Sequence, residues 1–545
     1  MRQLTGRDAG FLVADSANAS ANANVSLLHI FDQATAAGGV VRFKTVLAHI
    51  ERRLSASPLF RQRLQTVPLG LDHPYWVDDQ DFDLEYHVRH IALPKPGDWR
   101  QFCIQVSRIH ARALDRDRPL WELYVIEGLD SFLDLPVGSF AVLLKTHLAA
   151  VGPQRLSELS ALLLDDISVP LDDGPASPWF ADSAPGRLSL VGRGLVKSAA
   201  APLRLVRPLA RVATHVAPAA AALASEMLLR PQNLPVTRFN SVVSPHRVLE
   251  TRRFTDAEVE AVRGLVDGAS VEHAVLAVCG GALRRYLDAK GELPDGHNLT
   301  ALVAKPEVGE AAAGHGAMHW RHLQLGTDIA DAVQRLAAVK AQAQHAPDAV
   351  TRVADSPDLA EAGTVAPAPL LSWSRRWAAR VAARLGLRAP AANCAITEVP
   401  APAVPLYLCG ARMSYFSAIL PISDGLGLAF AVTRYDGRLV ISPTSCRELM
   451  PDPEAFALCL RDSFQEYLAL AQALPLAQAR SRTKPAAGRR RAPAKPAVPA
   501  APVKAVKAAK AVRSVNAVKP GNAVVAGEAV KPVKPARVPK LAKAA

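Results

Sequence analysis

From about residue 476 the chain changes character, and that change decides how much of it can build a core. Between Arg480 and Ala545 there are 17 Lys and Arg against one acid, Glu528, a net of +16. Ala, Lys, Pro and Val recur loosely there and no aromatic residue occurs. The prolines forbid a continuous helix. So little apolar surface beside so much like charge does not offset the entropy of ordering a chain. Residues 476–545 are therefore read as a disordered C-terminal tail, and any fold must come from the first 475 residues. Those hold the remaining 47 basic and 49 acidic residues, so the overall charge of +14 belongs to the tail.

Lysines spaced as at Lys504, Lys507 and Lys510 make a polycation that binds phosphate polyanions by counterion release, with steep salt dependence and little base specificity. Nucleic acid is the favoured partner. Anionic lipid competes with it, and a merely solubilising tail is the third reading. The six cysteines are scattered with no CxxC spacing, which argues against a zinc site or a disulfide framework and suits a reducing cytosol. The start is polar, without the pattern of a signal peptide. No apolar run approaches the roughly 20 residues that span a bilayer. The expectation is a cytoplasmic protein, peripheral at a membrane or lipid inclusion, that holds no metal.

Several segments form an ordered set. Met1-Arg2-Gln3-Leu4-Thr5-Gly6-Arg7-Asp8-Ala9-Gly10-Phe11-Leu12 opens the chain. Asp115-Arg116-Asp117-Arg118-Pro119-Leu120-Trp121-Glu122 and Lys145-Thr146-His147-Leu148-Ala149-Ala150-Val151-Gly152 come next. The second half has Ser244-Pro245-His246-Arg247 and Val275-Leu276-Ala277-Val278-Cys279-Gly280-Gly281-Ala282, then Tyr435-Asp436-Gly437-Arg438. Together they resemble the bacterial wax ester synthase/acyl-CoA:diacylglycerol acyltransferase family over roughly residues 1–475.

The resemblance implies an α/β, two-domain CoA-dependent acyltransferase fold (chloramphenicol acetyltransferase-like) with a central tunnel. It also implies acyl transfer from acyl-CoA to diacylglycerol or a long-chain alcohol, making triacylglycerol or wax ester with no cofactor beyond acyl-CoA as substrate. A histidine would remove the hydroxyl proton as general base. The family writes this site His-His-x-x-x-Asp-Gly, and here the motif is eroded. Aligned on the downstream helix, the base is His147 and the glycine is Gly152, while Thr146 replaces the first His and Val151 the Asp. Aligned on Lys145, His147 becomes the first His and Leu148 takes the base position. The first register keeps two motif residues and needs no gap. In either, the organising carboxylate is gone, since valine cannot accept a hydrogen bond. Read without the family, His147 simply ends the apolar strand Phe140-Ala141-Val142-Leu143-Leu144. The erosion leaves a second reading open: a weak or inactive lipid- or acyl-CoA-binding relative that organises storage granules.

Relatives carry an Asn-Asp pair where this chain has Glu272-His273. Helix neighbours do not face each other, so both are read as polar cap residues. Composition divides the chain into a first domain (1–180), a Pro/Ala-rich basic connector (181–235), a second domain (236–475) and the tail (476–545). In the connector, basic and apolar residues alternate from Arg193-Gly194-Leu195-Val196-Lys197 through Leu203-Arg204-Leu205-Val206-Arg207. This stretch is read equally as a helix lying on lipid or as a packed crossover. A second basic amphipathic segment places Trp373, Arg376, Trp377 and Arg380 for lipid contact.

Overall fold

Phe140-Ala141-Val142-Leu143-Leu144 is apolar at consecutive positions, so a strand built from it must be covered on both faces. In the computed structural model it is. The structure describes residues 1–17, 22–129, 135–152, 155–169, 179–197, 234–306, 318–345 and 392–482, with Ser20 and Ser131. All lie in one compact unit, Met1–Thr483. The tail beyond Arg482 and the segment holding Trp373, Arg376, Trp377 and Arg380 fall outside the described residues.

A small sheet joins β1 (Arg2–Gln3), β4 (Tyr75–Asp78) and β3 (Gln62–Gln65). The first large sheet contains β2 (Asn24–Asp32), β5 (Val88–Ala92), β6 (Trp121–Leu129), β7 (Ser139–His147), β13 (Tyr407–Leu408) and β14 (Ala411–Ile419). Their order is β13-β14-β2-β7-β6-β5. β7 is central and buried along its whole length. It pairs with β2 in a register that sets His147 opposite Asn24.

The second large sheet contains β8 (Arg247–Leu249), β9 (Arg252–Thr255), β10 (Thr300–Pro306), β11 (Met318–Gln324), β12 (Cys394–Glu398), β15 (Ala429–Tyr435) and β16 (Arg438–Cys446). β10, β12 and β15 run parallel. The first sheet thus draws strands from both sides of the connector: β13 and β14 belong to the second half in sequence but β14 pairs with β2. The turn between β13 and β14, Leu408-Cys409-Gly410-Ala411, has positive φ at Cys409 and Gly410. Two such residues give a two-residue turn the twist a hairpin needs.

Helix Val271–Ala289 lies against helix Pro453–Arg482, and Gly280 and Gly281 let its backbone come close to its neighbours. A Cβ at Gly280 would sit inside the carbonyl oxygen of Leu325, and one at Gly281 would meet Ser463 Oγ. Backbone cannot yield as a side chain end can. Gly280→Ala is therefore expected to cost about 1–3 kcal/mol, read as a lowered thermal midpoint. Gly186→Ala, which meets nothing within 4 Å, serves as the control and leaves the midpoint in place. Equal midpoints for both variants would refute this account of the packing.

The described cysteines are all free. No helix among the described residues is long and apolar enough to cross a membrane.

Candidate active site

The Pro-Leu-Trp-Glu segment and the His147 loop meet in space. Trp121 is buried, donates its indole N–H to Phe60 O at 3.0 Å, and stacks on His87 with ring centroids 4.6 Å apart. That fixes the start of β6. Leu120 O then accepts from both the His147 backbone N–H (3.2 Å) and the Thr146 hydroxyl (3.1 Å). The first motif is thus the clamp on the end of the strand that carries the second.

Alternation along β7 puts Leu144 and Thr146 on one face of the sheet and Lys145 and His147 on the other. Lys145 is fully buried. Its ammonium donates to Arg112 O at 2.6 Å and faces Glu122 at 3.5 Å. Burial pulls its pKa down to about 8, against the opposing pull of Glu122. Glu122 also accepts from Tyr124 OH at 3.0 Å and faces Arg89 at 3.7 Å. Beside this network, His110 is buried on helix Trp99–Ala111, with Nδ1 2.9 Å from Ser26 Oγ. Burial, then the charges of Arg247 and Lys145, hold His110 well below its ordinary pKa.

His147 is almost completely enclosed. Its Nδ1 accepts the backbone N–H of Ala149 at 3.0 Å. The proton then sits on Nε2, which donates to Asp15 Oδ2 at 2.7 Å. Asp15 lies on helix Gly6–Ala17 and is itself held: Oδ1 accepts from Ala23 N–H at 2.8 Å, and Arg116 Nη2 lies 3.3 Å from Oδ2. An imidazole with a buried carboxylate on one nitrogen has its tautomer and its orientation fixed. Nδ1 is the nitrogen that can take a proton, once a hydroxyl replaces the Ala149 N–H.

The other motif positions do not carry polar chemistry. Thr146 is buried with its hydroxyl on Leu120 O. Val151 and Leu148 pack in the main apolar core. Gly152 accepts from Arg155 N–H at 3.1 Å, which leads into helix Leu156–Leu163. Glu272 is ion-paired with Arg321, and His273 completes a capping box with Ser270. Among the described residues no group of His, Cys, Asp and Glu could hold a metal ion.

Reading of the sequence missed Asp15. It stands 132 positions before His147, and no local spacing rule links them.

Comparison with known proteins gives a consistent answer. Residues 4–273 match the model described as the wax ester synthase/diacylglycerol acyltransferase catalytic domain, and residues 317–467 match the WS/DGAT C-terminal domain. A putative diacylglycerol O-acyltransferase of Mycobacterium tuberculosis is 30% identical over 468 residues, covering 83% of this chain and 87% of the relative. A probable diacylglycerol O-acyltransferase of the same organism is 30% identical over 422 residues, covering 75% and 87%. Among solved structures, the wax ester synthase/diacylglycerol acyltransferase from Marinobacter aquaeolei superposes with a TM-score of 0.60 at 22% identity, covering 86% of this chain and 100% of that one. The trichothecene 15-O-acetyltransferase from Fusarium sporotrichioides gives 0.53 at 10% identity, covering 86% and 95%. The α/β acyltransferase fold is thereby shown, and the chain belongs to the wax ester synthase/diacylglycerol acyltransferase family.

Proposed function

We propose that this chain transfers an acyl group from acyl-CoA to the hydroxyl of diacylglycerol or a long-chain alcohol, with His147 as general base and Asp15 as the carboxylate that orients it. The Asp15–His147 hydrogen bond carries this reading, since it supplies a carboxylate to the histidine of a chain whose motif has lost one. The acceptor oxygen attacks the thioester carbonyl while its proton passes to His147 Nδ1. The imidazolium is stabilised by Asp15, and the CoA thiolate leaves as the tetrahedral intermediate collapses, taking the proton back. A positioned base of this kind contributes about 10²–10⁴ in rate.

The same geometry favours a second reading. Both ring nitrogens of His147 are engaged and Val151 is apolar. A chain so built would bind acyl-CoA and neutral lipid with little or no turnover. It would organise storage granules, its polybasic tail holding nucleic acid.

Labelled palmitoyl-CoA offered with diacylglycerol or hexadecanol to the wild type and to His147→Ala decides between them. The expected result is ester formation by the wild type and a loss of about 10²-fold or more in the variant, with palmitoyl-CoA binding retained. A wild type that binds palmitoyl-CoA without forming ester leaves the second reading.

A further inference from the structure

Helix 187–197 begins the basic connector. One side of it is anchored on the body. Leu190 is fully buried in a cluster with Val67, Tyr75 and Val77. Gly194 lies so close to Leu71 that a Cβ there would be 3.1 Å from the Leu71 Cβ. Lys197 is paired with Asp72 at 3.5 Å.

The other side is bare. Leu188 is 88% exposed, Val196 71% and Leu195 54%, and Phe180 just before the helix is 86% exposed. At about 100° per residue, Leu188, Leu195 and Val196 share an arc of about 100°, opposite Leu190 and Gly194. Arg187 and Arg193 are exposed on the two flanks of that arc. Neither forms an ion pair among the described residues. A shallow cleft lined by Tyr75, Ser189, Gly192, Arg193, Val196 and Lys197 opens beside the apolar face. So much apolar area, clustered and rimmed by cations, is not ordinary soluble surface.

We infer that helix 187–197 is a docking surface for an anionic phospholipid bilayer. Leu188, Leu195, Val196 and Phe180 enter the acyl boundary, while Arg187 and Arg193 meet lipid phosphates, with the cleft at Arg193 and Ser189 seating one of them. A helix with this division of faces lies in the plane of the interface. Cationic rims select bilayers of negative surface potential. His147 is not among the residues lining this surface, which serves either reading of the site, since acyl-CoA substrates and neutral lipids partition to bilayers in both.

The test is cosedimentation of the full-length protein with vesicles of phosphatidylcholine alone or mixed with phosphatidylglycerol. The Lys- and Arg-rich tail also attracts anionic surfaces, but about 0.5 M salt shortens the screening length to about 4 Å and removes that attraction. Wild type is expected to keep a salt-resistant share on the phosphatidylglycerol vesicles. Leu188→Glu/Val196→Glu should lose that share by about tenfold or more. Both positions are exposed, so the thermal midpoint stays unchanged, and Leu195→Glu alone repeats the loss more weakly. Arg187→Ala/Arg193→Ala should lower the preference for phosphatidylglycerol. Salt-resistant binding equal in wild type and the Glu variants overturns the proposal, as does wild-type binding that vanishes at high salt or is as strong on pure phosphatidylcholine.

Discussion

Asp15→Asn is expected to lower acyl transfer by about a hundredfold or more, with little change in palmitoyl-CoA binding. Asparagine keeps the size of the side chain and the acceptor for Ala23 N–H. It removes the charge that balances an imidazolium, and its amide can turn an N–H towards Nε2 and favour the other tautomer. Proton transfer to His147 Nδ1 then loses its compensation in a site where His147 and Asp15 are nearly closed to water, with side-chain exposures of 4% and 8%. Asp15→Glu should restore part of the rate, since the charge returns about one methylene out of place. A kcat effect with KM nearly unchanged identifies Asp15 as a positioning residue. A rate that rises on substitution would instead mean that Asp15 caps His147 and keeps it from substrate, which would sink the orienting role. The Asp15 variants thus ask what holds His147, and His147→Ala asks whether anything turns over.

The second large effect is acid lability. His29 lies in β2 with Nδ1 3.3 Å from Val142 O, and its Nε2 is 2.8 Å from Ser160 Oγ. Burial lowers its pKa from 6.5 to about 4. His87, under Trp121, donates Nδ1–H to Trp121 O at 2.7 Å, and burial likewise lowers it to about 4. His110 and His49 shift in the same direction, again through burial. All four are neutral in the folded chain, whereas in the unfolded chain they bind protons from about pH 6.5 downward. Their contribution is fully present above pH 6.5 and is lost as pH falls, for His29 and His87 towards about 4. At 1.36 kcal/mol per unit, His29 and His87 each account for about 3 kcal/mol over that window. Urea unfolding at pH 7.0, 5.5 and 4.5 should show a falling midpoint, and His87→Gln should flatten the slope. A midpoint independent of pH down to 4.5 would refute these neutral buried histidines.

Composition places a boundary near residue 476, because charge and proline content bear on whether a segment can bury enough surface; in the structure helix Pro453–Arg482 runs past that point, and the residues after Arg482 lie outside those described. The central strand was legible in Phe140–Leu144, because a run apolar on both faces is a local signal. The Pro-Leu-Trp-Glu and His147 segments named the family but not their relation to each other. That Leu120 O clamps both Thr146 and His147 is a contact between two strands. Lys145 shows the same limit. Nothing local in the sequence marks it, and the Arg112 carbonyl with the carboxylate of Glu122, both brought in by the fold, accounts for a buried ammonium. For the connector, the alternation of basic and apolar residues admitted both a lipid-facing and a packed helix. In the structure helix 187–197 packs one side through Leu190 and leaves Leu188, Leu195 and Val196 exposed on the other, while residues 203–207 lie outside the described residues.

What the sequence determined by itself was the family and the chemistry that family performs. These rest on residue identity and short spacing, which the chain carries openly. Tertiary structure alone decided that β14 leaves the second half to pair with β2, and that Asp15, on the opening helix, meets His147 across 132 positions. Such pairings depend on which surfaces remain uncovered after local elements form, and burial and hydrogen-bond satisfaction select them over the whole fold rather than within any window of sequence.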